Sequence, residues 1–394
     1  MSGPALAPPA APPPARAPRA PIAWPAVAAQ SAAVALVAAL LVLVAVTTAA
    51  NLELRGIPTG FEFLGDRAGF KIADTVIAFS PDHSYLRAIA VGVGNTLFLS
   101  LIVCLAATVV GALLGVARLS ANPLVAALAA VWVEAVRNTP PVLLLIFLYA
   151  LWSQAMPVGG AQEVLPGIVA SVRGVAVPKL ETGLPAWAWA AALLASLTAP
   201  VLASRAARRR TPSGARRPPY GRAVLAAVAL AWVAAALLGG WSLELPRAAG
   251  EDLAGGARLT PEFATVVFGL TVYTAGFIAE IVRSGIEAIP RGQWEAGRAL
   301  GLSEGRILRL VVAPQTLRVI TPPMTSQYIN TVKNSTLAIA IGYSEFMTVM
   351  GTVINRTNQP LEGTLVIVAV YMAINLALAA GLDLLNRRVQ PEQR

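Results

Sequence analysis

The sequence predicts an all-α integral membrane protein with about eight transmembrane helices and both termini on the cytoplasmic side. Three observations carry this reading. Of 394 residues, 56% are hydrophobic and only 13% charged, and the mean hydropathy of +0.67 lies far above that of a soluble domain. The apolar residues gather into charge-poor runs long enough to cross a bilayer. The charges that remain are divided unevenly between alternate connecting segments.

Residues 1–25 hold nine prolines and only Arg16 and Arg19 as charges, so they cannot bury a core and read as a disordered Pro/Ala-rich cytoplasmic arm. Segment 26–50 is the first transmembrane anchor, uncharged, and its run from 27 to 49 is too long for a signal-peptide core, so it is expected to stay uncleaved. Segment 51–86, with Gly56, Pro58, Gly60, Phe61, Phe63 and Phe70, is expected as an ordered periplasmic loop packed on the membrane face. Residues 87–155 form the first part of a core, with spans near 87–117 and 124–152. Residues 156–261 hold a further periplasmic loop and an inserted pair of spans, near 185–203 and 223–242, joined by an Arg-rich cytoplasmic loop. The second part of the core, 262–386, has spans near 262–282, 325–351 and 363–385 and a long cytoplasmic loop at 285–320; residues 387–394 are a cytoplasmic tail. Spans 124–152 and 325–351 are expected to be broken or re-entrant. The first holds Glu134, Arg137, Asn138, Pro140 and Pro141, the second Lys333, Asn334 and Glu345.

With the N-terminus inside, the inner segments carry 19 Lys and Arg against 4 acids, and the outer ones 8 against 11. This is a positive-inside pattern. The formal charge of +10 is therefore a matter of topology and lipid contact, and the run from Arg205 to Arg222 anchors the chain rather than binding nucleic acid, since no aromatics interleave with it. Trp187, Trp189, Trp232 and Trp241 lie near span ends, as interface belts do. One Cys and one His, Cys104 in an apolar run and His83 outside, leave no material for a zinc site or a Cys/His catalytic pair. The three lysines, Lys71, Lys179 and Lys333, follow Phe, Pro and Val, so no Walker A loop is present and any ATP must be hydrolysed on another chain.

The loop after the sixth span reads Glu295-Ala296-Gly297-Arg298-Ala299-Leu300-Gly301, then nine residues, then Val311-Val312-Ala313-Pro314. By residue type it is a short amphipathic helix ended or bent by Gly301, followed by a second helix from Ser303 to Val312, capped by Ser303 and with Arg306 and Arg309 outward. Such a unit is either a docking knob for a soluble partner or a solvated juxtamembrane helix. Its spacing resembles the hallmark loop of the permease subunits of bacterial ABC importers: Glu-Ala-Ala, three residues, Gly, nine residues, Ile-x-Leu-Pro. Gly297, Val311 and Ala313 depart from that pattern, all with small or apolar residues. The resemblance implies a type I importer permease core and makes the loop a coupling helix. In that role Glu295, Ala296, Gly297, Gly301 and Pro314 would contact a separate ATPase subunit.

Glu134-x-x-Arg137-Asn138-Thr139-Pro140-Pro141 and Val332-Lys333-Asn334-Ser335-Thr336-Leu337, with Asn95-Thr96-Leu97, are similar to signatures of the polar amino-acid branch of that family, and the length points to its general L-amino-acid subgroup. Leu144 stands where that branch often has Gln. The resemblance implies import of L-amino acids across the bacterial inner membrane. Its partners would be an ATPase that uses the ATP, a second permease chain in a heterodimer, and a periplasmic amino-acid-binding protein; no cofactor is expected on this chain. An amino-acid zwitterion needs polar groups along its path. Glu134, Arg137, Asn138, Thr139, Pro140, Lys333, Asn334 and Ser335 are the candidates for that pathway or its gate. For Glu134 and Arg137 mutual pairing is the alternative, and for Glu280 and Arg283 anchoring at the end of the sixth span. Pro140-Pro141 and Pro322-Pro323 are expected as hinges. An ion-coupled secondary transporter of small polar solutes, using Lys333, Glu280 or Asp383, is the alternative function; it leaves the Glu295 to Pro314 spacing a coincidence, and no matching halves are seen.

Overall fold

The protein is described by a computed structural model covering residues 24–156, 160–183, 196, 224, 227–230, 232–233, 240–250 and 252–389. Two units are distinguished, residues 1–60 and 61–394. In the first, α1 (Trp24–Leu54) is apolar on every side, with no charge before Glu53, as a helix surrounded by lipid requires.

In the second unit the segment before the next helix is ordered by aromatics. Phe63 is buried with Ala68, Tyr85, Ala88, Val349 and Val353, and the Arg356 guanidinium lies 5.6 Å from the centre of the Phe70 ring. Then follow α2 (Tyr85–Ala117), α3 (Pro123–Arg137) and α4 (Pro141–Ala155), the last two meeting at 102°. The bend falls where Pro140 and Pro141 remove two backbone donors in succession and hold the preceding residues out of the helical region. After the insertion come α5 (Pro261–Glu287), α6 (Arg291–Ala299), the single turn α7 (Glu304–Ile307), a π-helical turn at Leu308–Val312 and α8 (Ala313–Asn334). A 3-10 turn (Ser335–Ile341), α9 (Phe346–Thr357) and α10 (Pro360–Val389) complete the unit. Local chemistry starts these helices: Asn122 accepts from Leu124 N at 3.0 Å ahead of Pro123, and Thr260 from Phe263 N at 3.1 Å ahead of Pro261.

Helices α1, α2, α5 and α10 are each long and apolar enough to cross a membrane, and two bent pairs, α3 with α4 and 304–341 with α9, bring the number to six among the described residues. These correspond to six of the expected spans, both broken ones included. The other two, 185–203 and 223–242, lie outside the described residues except for Ser196, Val224, 227–230, Trp232, Val233 and 240–242. Ser196, Val224, 227–230, Trp232 and Val233 are helical, and the Trp232 indole donates to Ser196 Oγ at 2.7 Å; residues 240–242 are not helical, Ser242 opening a strand.

Two expectations need correction. The helix does not break at Pro322-Pro323, because α8 runs through both prolines; the chain breaks later, after Gly342, with a bend of 54°, where Gly342 takes a left-handed φ of 81° that ends the 3-10 turn. The fold is also mostly rather than wholly helical. The segments on either side of the insertion form strands β1 (Gln162–Leu165), β2 (Ile168–Ser171), β3 (Gly174–Val177) and β4 (Lys179–Glu181), then β5 (Ser242–Glu244), β6 (Arg247–Ala249), β7 (Asp252–Ala254) and β8 (Ala257–Leu259). An antiparallel sheet in the order β1-β2-β3-β8 joins the two segments, as does the β4–β5 ribbon, so the insertion leaves and returns at one place. Gly174 is needed there, since a Cβ would lie 2.2 Å from the Leu259 carbonyl oxygen.

The core of this unit is the α2–α5 contact. A Cβ on Gly111 would lie 2.7 Å from the Ile278 side chain, and one on Gly115 2.7 Å from the Ala279 carbonyl oxygen. In lipid, where apolar burial gives little drive between helices, such close backbone approach supplies the packing energy. Farther along the pair, Leu99, Val103, Val266 and Leu270 meet Leu145, Ala338, Ile341 and Tyr343.

Candidate functional site

The loop that follows α5 is a folded unit with its own small core. Ile289, Ile307 and Val312 are buried together, flanked by Trp294, Leu302 and Val311. Helix α6 ends in a Schellman motif: Leu302 N donates to Gly297 O at 3.1 Å, Gly301 N to Arg298 O at 2.9 Å, and Gly301 has φ of 72°. Nothing crowds Gly301, so its backbone conformation alone selects glycine. Gly297 is selected for the opposite reason: a Cβ there would come 2.8 Å from Ile307, the residue that brings α7 against α6. Gly297, one of the three positions at which this loop departs from the family pattern, thus faces inward, while Glu295, Ala296, Gly301 and Pro314 are exposed.

The return helix differs from expectation. Ser303 sits at the cap position, but its side chain makes no cap bond. The helix also does not stop at Val312; it passes through the π-turn, where Ala313 N donates to Leu308 O, and continues as α8. Pro314 explains the turn, since it has no N–H for the Leu310 carbonyl and its ring needs extra room there. Arg298 and Glu304 pair at 2.7 Å across the α6–α7 corner, and the Glu304 carboxylate holds the guanidinium above its usual pKa.

The polar residues of the spans fall into three groups. Glu134 and Arg137 do not pair with each other. Instead Glu280 of α5 is a hub: it bonds Arg118 at the end of α2, pairs with Arg283 at 2.6 Å and approaches Arg137 at 3.8 Å. Among the described residues Glu134 reaches only Arg118, at 3.9 Å, and Arg283 also pairs with Glu287 at 2.6 Å. The Arg137 guanidinium lies 5.4 Å from the centre of the Phe277 ring. At the bend Thr139 Oγ1 donates to Ala135 O at 2.8 Å, Asn138 ends α3 and Pro140 precedes α4. Spans meeting at one level bring together residues far apart in sequence, and Arg118 is the member that sequence reasoning missed.

In the second group Lys333 is exposed near the end of α8 with no ion pair among the described residues, Asn334 is half-buried and Ser335 is buried, its hydroxyl donating to Val332 O at 2.7 Å. No ion pair or hydrogen bond joins this group to Glu134–Pro140 among the described residues.

The third group surrounds Glu345, fully buried at the start of α9. Its carboxylate accepts from Thr348 N at 2.8 Å, Tyr371 OH at 3.2 Å and Thr96 Oγ1 at 3.4 Å. Beside it Asn95 Nδ2 donates to Asp74 O and Ser344 O, both at 2.7 Å, while Asn95 Oδ1 accepts from Val76 N at 3.1 Å. The Asn95-Thr96 pair therefore holds together α2, the turn before α9 and the segment at 74–76. Glu345 caps α9 by accepting from Thr348 N, but glutamate is not among the usual capping residues, so no local pattern signals this junction.

Bent spans, a packed α2–α5 pair and a folded loop between α5 and α8 define a mostly helical protein with several candidate membrane spans. Residues 223–391 match the family described as binding-protein-dependent transport system inner membrane component. The chain is 38% identical to the general L-amino acid transport system permease protein AapQ of Rhizobium johnstonii, over 89% of this chain and 88% of that one. It is 38% identical to the putative amino-acid ABC transporter permease protein YhdX of Escherichia coli, over 88% and 89%. The glutamate/glutamine/aspartate/asparagine transport system permease protein BztB of Rhodobacter capsulatus is 34% identical, over 87% and 88%. A crystal structure of an amino acid ABC transporter with histidines is similar with a TM-score of 0.49 at 18% identity, over 77% of this chain and 95% of that one. The chain belongs to the family of ABC importer permease subunits, multi-pass proteins of the inner membrane. Membership implies an ATPase and a periplasmic binding protein as partners.

Proposed function

We propose that this chain is the permease subunit through which an ABC importer moves L-amino acids from periplasm to cytoplasm, coupled through loop 285–320 to a separate ATPase subunit. The observation that carries the coupling role is the loop itself: a self-supporting unit whose Schellman turn at Gly301 presents Glu295 and Ala296 outward at the end of α5. The names of the similar permeases support amino acids as cargo. Eight spans place both termini in the cytoplasm, with segments 51–86, 156–184 and 243–261 on the periplasmic side. The pair of spans inserted in 156–261 stands beside the transport core of 87–155 and 262–386. ATP is bound and hydrolysed on the partner, and a second permease chain, a relative rather than a copy, completes the pathway. Closure of the ATPases displaces the loop and turns the spans, switching access from one side to the other. Lys333, exposed and without an ion-pair partner among the described residues, faces that pathway with Asn334, while Glu134, Arg137, Asn138, Thr139 and Pro140 form the gate at the α3–α4 bend.

The test is a pull-down of the detergent-solubilised protein, wild type beside Glu295→Arg and Gly301→Asp, probed for an ATPase subunit and a second permease. Co-purification of both with wild type, and loss of the ATPase in the variants, is the expected result. A wild-type protein that purifies alone and moves amino acids in ATP-free proteoliposomes under an ion gradient would overturn the reading.

A further inference from the structure

The β4–β5 ribbon has two unlike faces. In its register Leu180 stands opposite Leu243, while Lys179 stands opposite Glu244 and Glu181 opposite Ser242. Successive side chains of a strand point to opposite faces, so one face of the ribbon is apolar and the other charged. The charged face satisfies itself: Lys179 Nζ donates to Glu181 Oε1 at 2.8 Å, with Glu244 across from it. The apolar face is open. Leu180 and Leu243 are 55% and 60% exposed, and Trp241 and Leu245, two residues to either side of Leu243, are 38% and 51% exposed. A two-stranded ribbon is marginal in water unless its apolar face is covered, and among the described residues β4 and β5 pair with no other strand.

Two observations place this face at a membrane. The ribbon lies close to the start of α5, which is long and apolar enough to cross one. Pro178 alone separates β4 from β3, and β3 pairs with β8, where Val177 stands opposite Ala257, four residues before Pro261. Both strands of the ribbon also open directly onto uncharged sequence. No charged residue occurs from Thr182 to Ser204 after β4, or from Ala223 to Leu243 on the way into β5. These two runs meet where Trp232 donates to Ser196.

We infer that the apolar face of the β4–β5 ribbon rests on the bilayer, at the boundary between headgroups and acyl chains, and ties the sheet β1-β2-β3-β8 to the lipid surface. The inference rests on the reading that residues 156–261 carry two inserted spans. At that boundary Leu180 and Leu243 reach the acyl chains, while the Trp241 ring, apolar with one polar N–H, suits the headgroup level. The opposite face turns Lys179, Glu181 and Glu244 to water. A lipid surface is favoured over a protein partner because a protein interface normally surrounds its apolar centre with a polar rim, and here the charged groups are on the other face. Pro178 alone separates the ribbon from the sheet, and Thr260 alone separates the sheet from α5. Lipid contact at the ribbon therefore sets the depth at which the start of α5 sits.

The experiment places a nitroxide label on the full chain in nanodiscs, one site at a time, after Cys104→Ala has removed the single native thiol. The sites are Leu180→Cys and Leu243→Cys on the apolar face, Glu181→Cys on the charged face and Leu230→Cys in the second uncharged run. All four side chains are exposed, so the label displaces no core. Collisions are read with molecular oxygen, which concentrates in lipid, and with a water-soluble nickel chelate. The expected ratio of oxygen to nickel collisions is several times higher at Leu180 and Leu243 than at Glu181, and highest at Leu230. Labels at Leu180 and Leu243 as open to nickel as the one at Glu181, with Leu230 in lipid, would overturn the inference and leave the inserted spans standing. Labels at Leu180 and Leu243 closed to both probes would show a protein surface over the face and likewise overturn it. A label at Leu230 as open to nickel as the one at Glu181 would remove the inserted spans and the inference together.

Discussion

Two groups of arginines lie near the end of α5 and in the loop that follows it, and the fold treats them in opposite ways. At the end of α5, Arg118, Arg137 and Arg283 converge on Glu280, with Glu134 and Glu287 at the margin, so that three positive and three negative side chains form one network. Beyond the α6 corner, Arg306 and Arg309 share a cavity with no acid in its wall. The difference follows the surroundings. Near the bilayer an unpaired charge is costly, and the charges of this network are matched with one another. In the loop water solvates the arginines. Internal satisfaction marks groups that hold the permease together.

The largest effect is expected where satisfaction is most complete. Glu345→Leu leaves Thr348 N, Thr96 Oγ1 and Tyr371 OH without their acceptor in a buried junction of α2, α9 and α10. A loss of about 3 kcal/mol in unfolding free energy in detergent is expected, from orphaned buried donors. Unchanged stability would break the comparison, because it would show that a fully matched buried carboxylate need not be structural.

A smaller effect is expected at the hub. The Glu280 side chain is 25% exposed, so solvent screens part of its attraction, and Glu280→Ala is expected to cost about 1–2 kcal/mol. The double-mutant cycle with Arg118→Ala should show coupling, and the cycle with Arg137→Ala, whose contact is 3.8 Å, much less. Equal coupling energies would mean that the longer contact closes in detergent.

Much of this was legible in the sequence, for reasons that differ between elements. The spans are visible because lipid forces long apolar runs, and the α3–α4 bend because Pro140-Pro141 has few other outcomes. The Gly301 corner is legible because a Schellman turn places its glycine at a fixed step from the helix it ends. What was hidden depends on distance. Arg118 and Glu280 stand 162 residues apart, and no local pattern distinguishes their bond from the simpler guess that Glu134 pairs with Arg137. The sheet was hidden in the same way, since β3 finds its partner β8 only across the insertion. In α8 the prolines misled because the helix absorbs them, while the bend waits for a glycine that can take positive φ.

Asp74 stands between the two extremes and gives the smallest, pH-dependent effect. It lies in the segment before α2, outside the spans, half-buried, and among the described residues its carboxylate accepts one hydrogen bond, from Thr260 Oγ1 at 2.7 Å. Burial raises its pKa above the ordinary carboxylate range; the bond from Thr260 opposes this, and the charge of nearby Glu262 adds to it. Because the folded pKa lies above the unfolded one, the folded state binds the proton more tightly. The stabilising contribution is fully present below the unfolded pKa and is lost as pH rises through the folded pKa. Asp74→Asn removes the titration and should keep the bond from Thr260. In wild type, therefore, stability should fall as pH rises from the ordinary carboxylate range through the folded pKa, and the variant's curve should be flatter over that interval and higher at neutral pH. Parallel curves for the two proteins would place Asp74 with the solvated charges of the loop rather than with the matched ones of the spans.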